Sequence, residues 1–294
     1  MFGKVVAFVL VLVGLGTVAF HFLSPWWWTA IASNWGYVDD TIIISFWITG
    51  VVFVGIILFM AYCSWRYRHR EGIRADYEPE NKKLEWWLVG LTSVAVAGLL
   101  TPGLFVWNQF VTVPDEATEI EVMAQQWQWA FRYPGEDGVF GTSDPQNVTP
   151  ENTFGLNPDD PNGLDDVLIE FDDLHLPLDR PVKVLLRSID VLHDFYVPQF
   201  RAKMDMVPGM VTYFWLTPTR TGSFDILCFE LCGIGHYAMR GFVVVEEESA
   251  YRAWLQEQPT FAELLADADI GNGDVSKLAS REAEVNPDWS RVAR

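Results

Sequence analysis

The most informative segment of this chain is Cys228-Phe229-Glu230-Leu231-Cys232-Gly233-Ile234-Gly235-His236-Tyr237-Ala238-Met239. It brings two thiols, a carboxylate, an imidazole and a thioether into one short segment. Sulfur and imidazole donors together are the ligands that copper prefers. Strand-like apolar sequence precedes and follows the segment, so we expect a metal-binding loop between two strands. A site for a single copper ion needs one cysteine, and the second, Cys232, therefore requires an explanation.

Alternating apolar and polar residues predict strands on both sides of this loop. The clearest cover residues 119–123, 182–186, 212–216 and 241–245. Residues 134–166 are rich in Gly, Pro, Asn and Asp and have no period, which predicts a long exposed loop. Short strands without intervening helical patterns favour an all-β cupredoxin-like Greek-key sandwich over residues 111–246. Residues 247–294 are predicted to be a polar C-terminal tail, with short helices at 251–256 and 261–266.

Three apolar stretches precede the sandwich. Residues 41–65 and 84–110 are long enough to cross a bilayer of about 30 Å, and they are predicted to form an α-helical transmembrane hairpin. Residues 1–23 are either a signal peptide or a first transmembrane helix. The external Trp-rich segment 24–40 favours a retained helix, because aromatic residues gather at membrane surfaces. Residues 66–83 carry most of the basic residues near the membrane ends, which places this loop in the cytoplasm and the sandwich outside it.

The formal net charge of −19 accompanies 50% hydrophobic residues, so the acidic and apolar parts of the chain must be separate. This charge argues against a nucleic-acid partner, because nucleic acid is itself polyanionic. It favours a basic protein partner outside the membrane, while the apolar part contacts membrane lipid.

A copper site in a sandwich takes most of its ligands from one loop and another from a neighbouring strand end. His193, in Asp190-Val191-Leu192-His193, follows a predicted strand and supplies that distant ligand. The predicted ligands are the side chains of His193, Cys228, Cys232, His236 and Met239, together with the backbone carbonyl of Glu230. In this set two thiolates bridge two copper ions and each ion takes one imidazole. Met239 and the carbonyl are the weak outer ligands.

Other interpretations stay open on the residues alone. Cys228 and Cys232 could form a disulfide outside the cytoplasm, although the neighbouring His and Met favour a metal. Zinc is disfavoured, because methionine is a poor zinc ligand. His193, taken alone, could be a hydrogen-bonded loop histidine.

Five further residues are predicted to be structural. Cys63 lies in an apolar run and is interpreted as an inert buried thiol. His175 lies between two leucines and has no metal-binding neighbours in the sequence. Met204, Met206 and Met210 are predicted to be packing residues.

The motif Cys228-x-Glu230-x-Cys232-x-x-x-His236-x-x-Met239, with His193 upstream, resembles the binuclear CuA signature of subunit II of cytochrome c oxidase. This family belongs to the haem-copper respiratory oxidases, and the resemblance extends to the membrane hairpin ahead of an external cupredoxin domain. It implies that the chain accepts electrons from cytochrome c at binuclear copper. The electrons would pass to haem in subunit I, for oxygen reduction coupled to proton pumping. The resemblance also implies the bacterial inner membrane, with the copper domain on the periplasmic side.

The resemblance implies roles for four more side chains. Glu230 would give its carboxylate to a magnesium ion shared with subunit I, and subunit III is a further implied partner. Trp127, in Gln126-Trp127-Gln128-Trp129, matches the tryptophan that receives the electron; the alternative is a core tryptophan. Asp190 matches an acidic position near the cytochrome docking surface. Glu85 lies where the family often carries a glutamate at a proton-channel mouth; the alternative is a solvated glutamate.

The chain departs from the family pattern in several places, among them a longer segment over residues 135–166 and Met210 in place of a frequent Arg after Pro208-Gly209. Arg132 stands five residues after Trp127, where docking subunits usually have an acid, and this predicts an altered cytochrome footprint. The Trp-Thr-x-x-Pro pattern expected after Glu85 is absent, which weakens the proton-channel assignment.

Two other functions use similar residues. One is the equivalent subunit of a CuA-containing nitric oxide reductase, which consumption of nitric oxide in place of oxygen would distinguish. The other is a membrane-anchored copper-binding assembly protein, which rapid oxidation of added reduced cytochrome c would exclude.

Overall fold

The computed structural model describes residues 2–24, 29–74, 77–149 and 152–271. The Trp-Trp-Trp run of the Trp-rich segment lies outside the described residues, as does the tail after residue 271. The chain forms two compact units. The first comprises Met1–Ile31 and Trp35–Thr112, and the second comprises Ala32–Asn34 and Val113–Arg294.

The first unit is helical. Its helices are α1 Phe2–Leu23, α2 Gly36–Arg66 and α3 Lys82–Val111. All three are long and apolar enough to cross a membrane. The predicted helices 41–65 and 84–110 lie inside α2 and α3, which extend beyond them because helical hydrogen bonding continues into the polar ends. Asn81 caps α3 by accepting a hydrogen bond from the Leu84 amide at 3.1 Å.

Small residues bring α1 and α2 close together. A Cβ atom added to Gly3 would lie 2.6 Å from the Ser64 carbonyl oxygen, and one added to Gly14 would lie 3.2 Å from the Ile57 side chain. The order of these contacts makes the two helices antiparallel. By contrast, a Cβ atom on Gly16 would meet open space. Helices in lipid associate through such small residues, because close approach of the backbones maximises dispersion contacts.

The second unit is a two-sheet sandwich. Its strands are β1 Thr118–Gln125, β2 Gln128–Tyr133, β3 Val167–Glu170, β4 Leu174–Pro177, β5 Val182–Ser188, β6 His193–Val197, β7 Ala202–Met206, β8 Thr212–Leu216, β9 Gly222–Cys228 and β10 Arg240–Glu246. One sheet has the order β3-β2-β1-β5-β8 and the other β4-β10-β9-β6-β7. The four predicted strands lie within β1, β5, β8 and β10. The predicted all-β cupredoxin-like sandwich is therefore confirmed.

The core lies between the two sheets, where alternate side chains of each strand point inward. The Phe195 ring of one sheet meets the Phe214 ring of the other, with centroids 5.9 Å apart. Burying an aromatic side chain of this size contributes about 2 to 3 kcal/mol. β1 pairs parallel with β5, and β4 pairs parallel with β10, within otherwise antiparallel sheets.

The predicted loop over residues 134–166 is exposed only in part. Phe154 and Leu156 are 0% exposed and pack with Met123 and Phe261 in a buried apolar cluster. The Asp and Asn side chains of the segment form turns by accepting hydrogen bonds from nearby backbone amides. For example, the Gln146 N–H donates to Asp144 Oδ1 at 2.8 Å. Phe154 and Leu156 are nevertheless covered, because they pack against the outside of the first sheet and against Phe261.

Arg132 of β2 holds this segment to the sheet. All five of its N–H donors are used: Asp166 Oδ2 accepts from Nε at 3.0 Å and from Nη2 at 2.5 Å, and Gly141 O accepts from Nη2 at 2.6 Å. Nη1 donates to Glu121 Oε2 at 2.9 Å and to Ser143 Oγ at 3.2 Å. The Arg132 side chain is 2% exposed. Its charge therefore faces the interior, so Arg132 does not itself present a positive charge to a docking partner.

The chain after β10 continues the domain with α4 Glu248–Gln256 and α5 Phe261–Gly271. Both predicted short helices lie within them. Tyr251 and Phe261 are buried, so this part of the predicted polar tail packs on the sandwich. The Trp254 indole stacks on His175 with centroids 3.9 Å apart, and His175 Nδ1 lies 3.0 Å from Glu246 Oε2. The structural role predicted for His175 is confirmed.

Two smaller predictions are corrected. Met206 is fully buried, as predicted, but Met210 is 58% exposed because it lies in the turn before β8. Cys63 is only half-buried in α2, because its helix is largely uncovered within the helical unit.

Candidate metal centre

The strand register brings the predicted ligands together. β6 begins at His193, and β9 ends at Cys228. These strands pair antiparallel with Phe195 opposite Cys228, so the start of β6 and the end of β9 lie at one edge of the sheet. The loop from Phe229 to Met239 then closes over this edge before β10 begins.

The two cysteines lie side by side without a bond between them. Their Sγ atoms are 3.7 Å apart, far longer than the roughly 2.05 Å of a disulfide. An imidazole lies beside each sulfur: His193 Nδ1 is 3.8 Å from Cys228 Sγ, and His236 Nδ1 is 3.5 Å from Cys232 Sγ. The structure therefore excludes the disulfide interpretation and pairs each thiol with one histidine.

Each thiol also has one weaker donor close by. Met239 Sδ lies 3.8 Å from Cys232 Sγ, and the Glu230 carbonyl oxygen lies 3.2 Å from Cys228 Sγ. The side chains of His193, Cys228, Cys232 and Met239 are buried. Two thiolates flanked by two imidazoles, a thioether and a carbonyl fit copper, whereas zinc sites rarely use a thioether. All six predicted donors are thus in one place.

The pKa values of the two thiols are driven apart. Burial alone would raise the pKa of Cys228, but hydrogen bonds to His193 and to the Asp194 and Glu230 backbone outweigh burial and lower it. Burial raises the pKa of Cys232, and the neighbouring Cys228 thiolate raises it further. The Cys228 thiol therefore gives up its proton more readily than the Cys232 thiol does.

Asp190 orients the His193 ring. Asp190 Oδ1 lies 2.9 Å from His193 Nε2, which places the ring proton there and turns Nδ1 towards the sulfur atoms. Burial alone would raise the pKa of Asp190, but hydrogen bonds from His193 and from the Gln126 and Val191 amides hold it below its usual value. The carboxylate thus stays charged beside the ligand.

Trp127 lies over the metal-binding loop. Its Nε1 atom donates to the Cys232 carbonyl oxygen at 3.3 Å. A Cβ atom on Gly235 would lie 2.3 Å from the indole, so the loop backbone touches the ring face. Trp127 is 36% exposed, whereas Trp129 is 5% exposed. The core tryptophan of this pair is therefore Trp129, and Trp127 is at the surface.

The structure brings together most, but not all, of the predicted site residues. Glu230 is half-buried in the loop. Asp190 contacts the predicted ligand His193. Glu85 lies in the exposed first turn of α3, in the helical unit. Sequence reasoning missed Gln126, whose Nε2 donates to the Cys232 carbonyl oxygen at 2.7 Å. The sequence feature that could have indicated a role for Gln126 is its position immediately before Trp127.

The fold and site define a cupredoxin-type domain preceded by helices long enough to cross a membrane. Residues 118–247 match the family model described as cytochrome C oxidase subunit II, periplasmic domain. The chain is 68% identical to alternative cytochrome c oxidase subunit 2 of Bradyrhizobium diazoefficiens, across 88% of this chain and 94% of that relative. It is 28% identical to cytochrome c oxidase subunit 2 of Cereibacter sphaeroides, across 77% of each chain.

A solved structure gives a similar match. The periplasmic domain of subunit II of cytochrome oxidase from Bradyrhizobium japonicum is 25% identical, with a TM-score of 0.37, over 49% of this chain and 95% of that chain. The chain belongs to the cytochrome c oxidase subunit II family. It is therefore a subunit of a haem-copper oxidase, an oxidoreductase complex in which it associates with subunit I.

Proposed function

We propose that this chain accepts electrons from cytochrome c at a binuclear CuA centre and passes them to haem in subunit I. Oxygen reduction and proton pumping then take place in subunit I. The observation that carries the proposal is the pair of thiols at 3.7 Å, each with its own imidazole nitrogen. Two bridging sulfur atoms and two separate imidazoles suit two metal ions better than one.

Copper bound there supplies a one-electron redox centre whose charge is shared between two ions. Cys228, Cys232, His193 and His236 would hold the copper, with Nδ1 of each histidine facing a sulfur atom. Met239 and the Glu230 carbonyl are the weak donors that tune the potential. The strand ends and the hydrogen-bonded His193 ring hold these groups in place in both redox states.

Electron paramagnetic resonance of the purified complex tests this function. We expect a signal from one electron delocalised over two copper ions, and rapid oxidation of reduced cytochrome c with oxygen uptake. A single-copper signal at one copper per chain would contradict the binuclear site. Consumption of nitric oxide in place of oxygen would identify a reductase, and copper binding without cytochrome c oxidation would identify an assembly protein.

Trp127 is the group through which we propose that electrons enter. Trp127→Phe removes the N–H donor and shrinks the exposed ring, so we expect turnover with cytochrome c to fall by up to about 100-fold, as a loss of positioning does. The copper signal should not change, because Trp127 is not a ligand. Trp129→Phe is the matched control, since Trp129 is buried and should affect stability more than turnover. Equal turnover losses in both variants would contradict this role.

Three more residues complete the proposal. The Glu230 carboxylate binds a magnesium ion shared with subunit I, and manganese substituted there would broaden its resonance signal through the nearby copper. Asp190 contributes to docking of a basic cytochrome c, so the KM should rise with salt. Glu85 lies at a proton entrance, and a Glu85→Gln variant that pumps normally would exclude it.

We also propose that α1 remains in the mature protein as a third transmembrane helix, in a bacterial inner membrane with the sandwich on the periplasmic side. The support is its close packing on α2 at Gly14. Intact-mass measurement of the purified subunit should find residues 2–23, and a mass lacking them would contradict the proposal. Gly14→Leu should loosen α1 and increase its proteolysis, whereas Gly16→Leu should not, because Gly16 faces open space.

A further inference from the structure

Gln126 lies at the centre of a set of hydrogen bonds that joins the surface tryptophan to the metal-binding loop. Its backbone N–H donates to Asp190 Oδ2 at 2.7 Å, and Asp190 Oδ1 lies 2.9 Å from His193 Nε2. Its side-chain Nε2 donates to the Cys232 carbonyl oxygen at 2.7 Å, and Trp127 Nε1 donates to the same oxygen at 3.3 Å. One residue thus connects a histidine ligand, a cysteine ligand and Trp127. We call this set the Gln126 clamp.

We propose that Gln126 is a positioning residue for electron transfer, because it holds the Cys232 carbonyl against the Trp127 indole. This proposal rests on the function proposed above, and it assigns to Gln126 the position of Trp127 relative to the Cys232 carbonyl. The hydrogen bond to this oxygen is 2.7 Å long from Gln126 and 3.3 Å long from Trp127, so the Gln126 amide makes the stronger of the two contacts.

The short connection between β1 and β2 and the nearby loop restrict the position of Gln126. β1 ends at Gln125 and β2 begins at Gln128, so Gln126 and Trp127 alone form the connection between paired strands. The loop closes on the amide: a Cβ atom on Gly233, whose φ is +118°, would lie 2.9 Å from Gln126 Nε2. A side chain larger than glycine would therefore separate the loop from Gln126.

Packing alone does not hold the indole, since Trp127 is 36% exposed. Its position depends on the ring contact with Gly235 and on the shared carbonyl. Electron transfer across a gap weakens steeply with distance, and hydrogen bonds couple the two sides better than empty space. Loss of the Gln126 amide should therefore slow transfer without removing any ligand.

The test uses Gln126→Met in the purified oxidase complex, because methionine keeps the length and removes the donor. We expect kcat with cytochrome c to fall about 10-fold, within the range that small misplacements cause, with KM unchanged. Copper per chain and the two-copper resonance signal should stay the same. Gln128→Met is the matched control, since it removes the same amide from the other side of Trp127, and it should keep full turnover.

A second measurement needs no metal. Hydrogen–deuterium exchange of the metal-free full chain should show faster exchange in residues 232–235 for Gln126→Met than for Gln128→Met. If the methionine variant fails to assemble, Gln126→Glu keeps the shape, presents an oxygen in place of the amide donor, and should show the same kcat loss.

Three outcomes would overturn the proposal. Unchanged kcat together with unchanged exchange would show that the clamp positions nothing. A raised KM at constant kcat would assign Gln126 to docking, and loss of copper would assign it to assembly of the site. Failure of the proposed function is separate: it would appear in the wild-type complex as the absence of a two-copper signal, while the exchange comparison would still test the clamp.

Discussion

Cys232→Ser should abolish the proposed binuclear copper centre. Serine oxygen is a hard donor and does not replace a bridging thiolate for copper. The remaining thiol, Cys228, would keep His193 and the Glu230 carbonyl beside it and could hold one ion only. We expect turnover with cytochrome c to fall by more than about 100-fold, beyond the 10- to 100-fold caused by losing an outer hydrogen-bond partner of a ligand.

Metal analysis and electron paramagnetic resonance measure this outcome directly. Copper per chain should fall to one or fewer, and the delocalised signal should disappear. Cys63→Ser is the matched control, because it makes the same change in α2 and should keep both copper and turnover. A Cys232→Ser complex with a delocalised two-copper signal would show that this sulfur does not bridge.

Arg132→Met should cause the largest loss of stability. It leaves Asp166, which is 0% exposed, without the guanidinium that pairs with it, while Glu121 keeps Arg187 at 2.9 Å. Removing one member of a buried ion pair destabilises by about 3 to 5 kcal/mol. For a domain of this size, we expect the thermal midpoint to fall by roughly 6 to 20 °C. Circular dichroism of the full chain in detergent would measure it.

The loss should depend on pH in a defined direction. Burial raises the pKa of Asp166, and the Arg132 hydrogen bond and charge oppose this rise. A raised pKa means that the folded state holds the proton more tightly than the unfolded state does, so stability falls as pH rises through the folded pKa. Without Arg132 the pKa rises further, and the variant should lose less stability at pH 5 than at pH 8.

Arg187→Met provides the control for this prediction. Arg187 also pairs with Glu121, but its side chain is 20% exposed and water screens the pair. We expect a loss well below that of Arg132→Met. Equal losses in both variants, or a loss for Arg132→Met that does not change with pH, would show that Asp166 does not carry the effect.

Local patterns were sufficient where the determining contacts are close in sequence. Five of the six predicted metal donors lie between Cys228 and Met239, so their spacing alone indicates a site. Strand alternation and the length of the apolar runs located β1, β10, α2 and α3 for the same reason. His193 lies outside this span, and it was selected because the donors between Cys228 and Met239 needed a further histidine from a strand end.

Contacts between distant residues could not be read from local patterns. Arg132 resembled a surface residue because its partner Asp166 lies 34 residues away and adjoins a segment that resembled an exposed loop. Gln126 passed unnoticed because its bonded carbonyl belongs to Cys232, 106 residues later. Trp127 and Trp129 are the same residue type and lie two positions apart, so local sequence does not distinguish them. The folded hairpin shows that Trp127 is at the surface and Trp129 is buried.

The class of fold, a candidate copper site and its six candidate donors could be predicted from short segments, because strand periodicity and donor chemistry are local properties. The folded chain was needed to show that the Arg132 charge is buried, that part of residues 134–166 joins a buried cluster, and that Gln126 connects Trp127 to Cys232. Burial and hydrogen bonding at these positions depend on which distant segments meet. The loop from Cys228 to Met239, for example, is contacted by His193, Gln126 and Trp127, which lie far from it in the sequence.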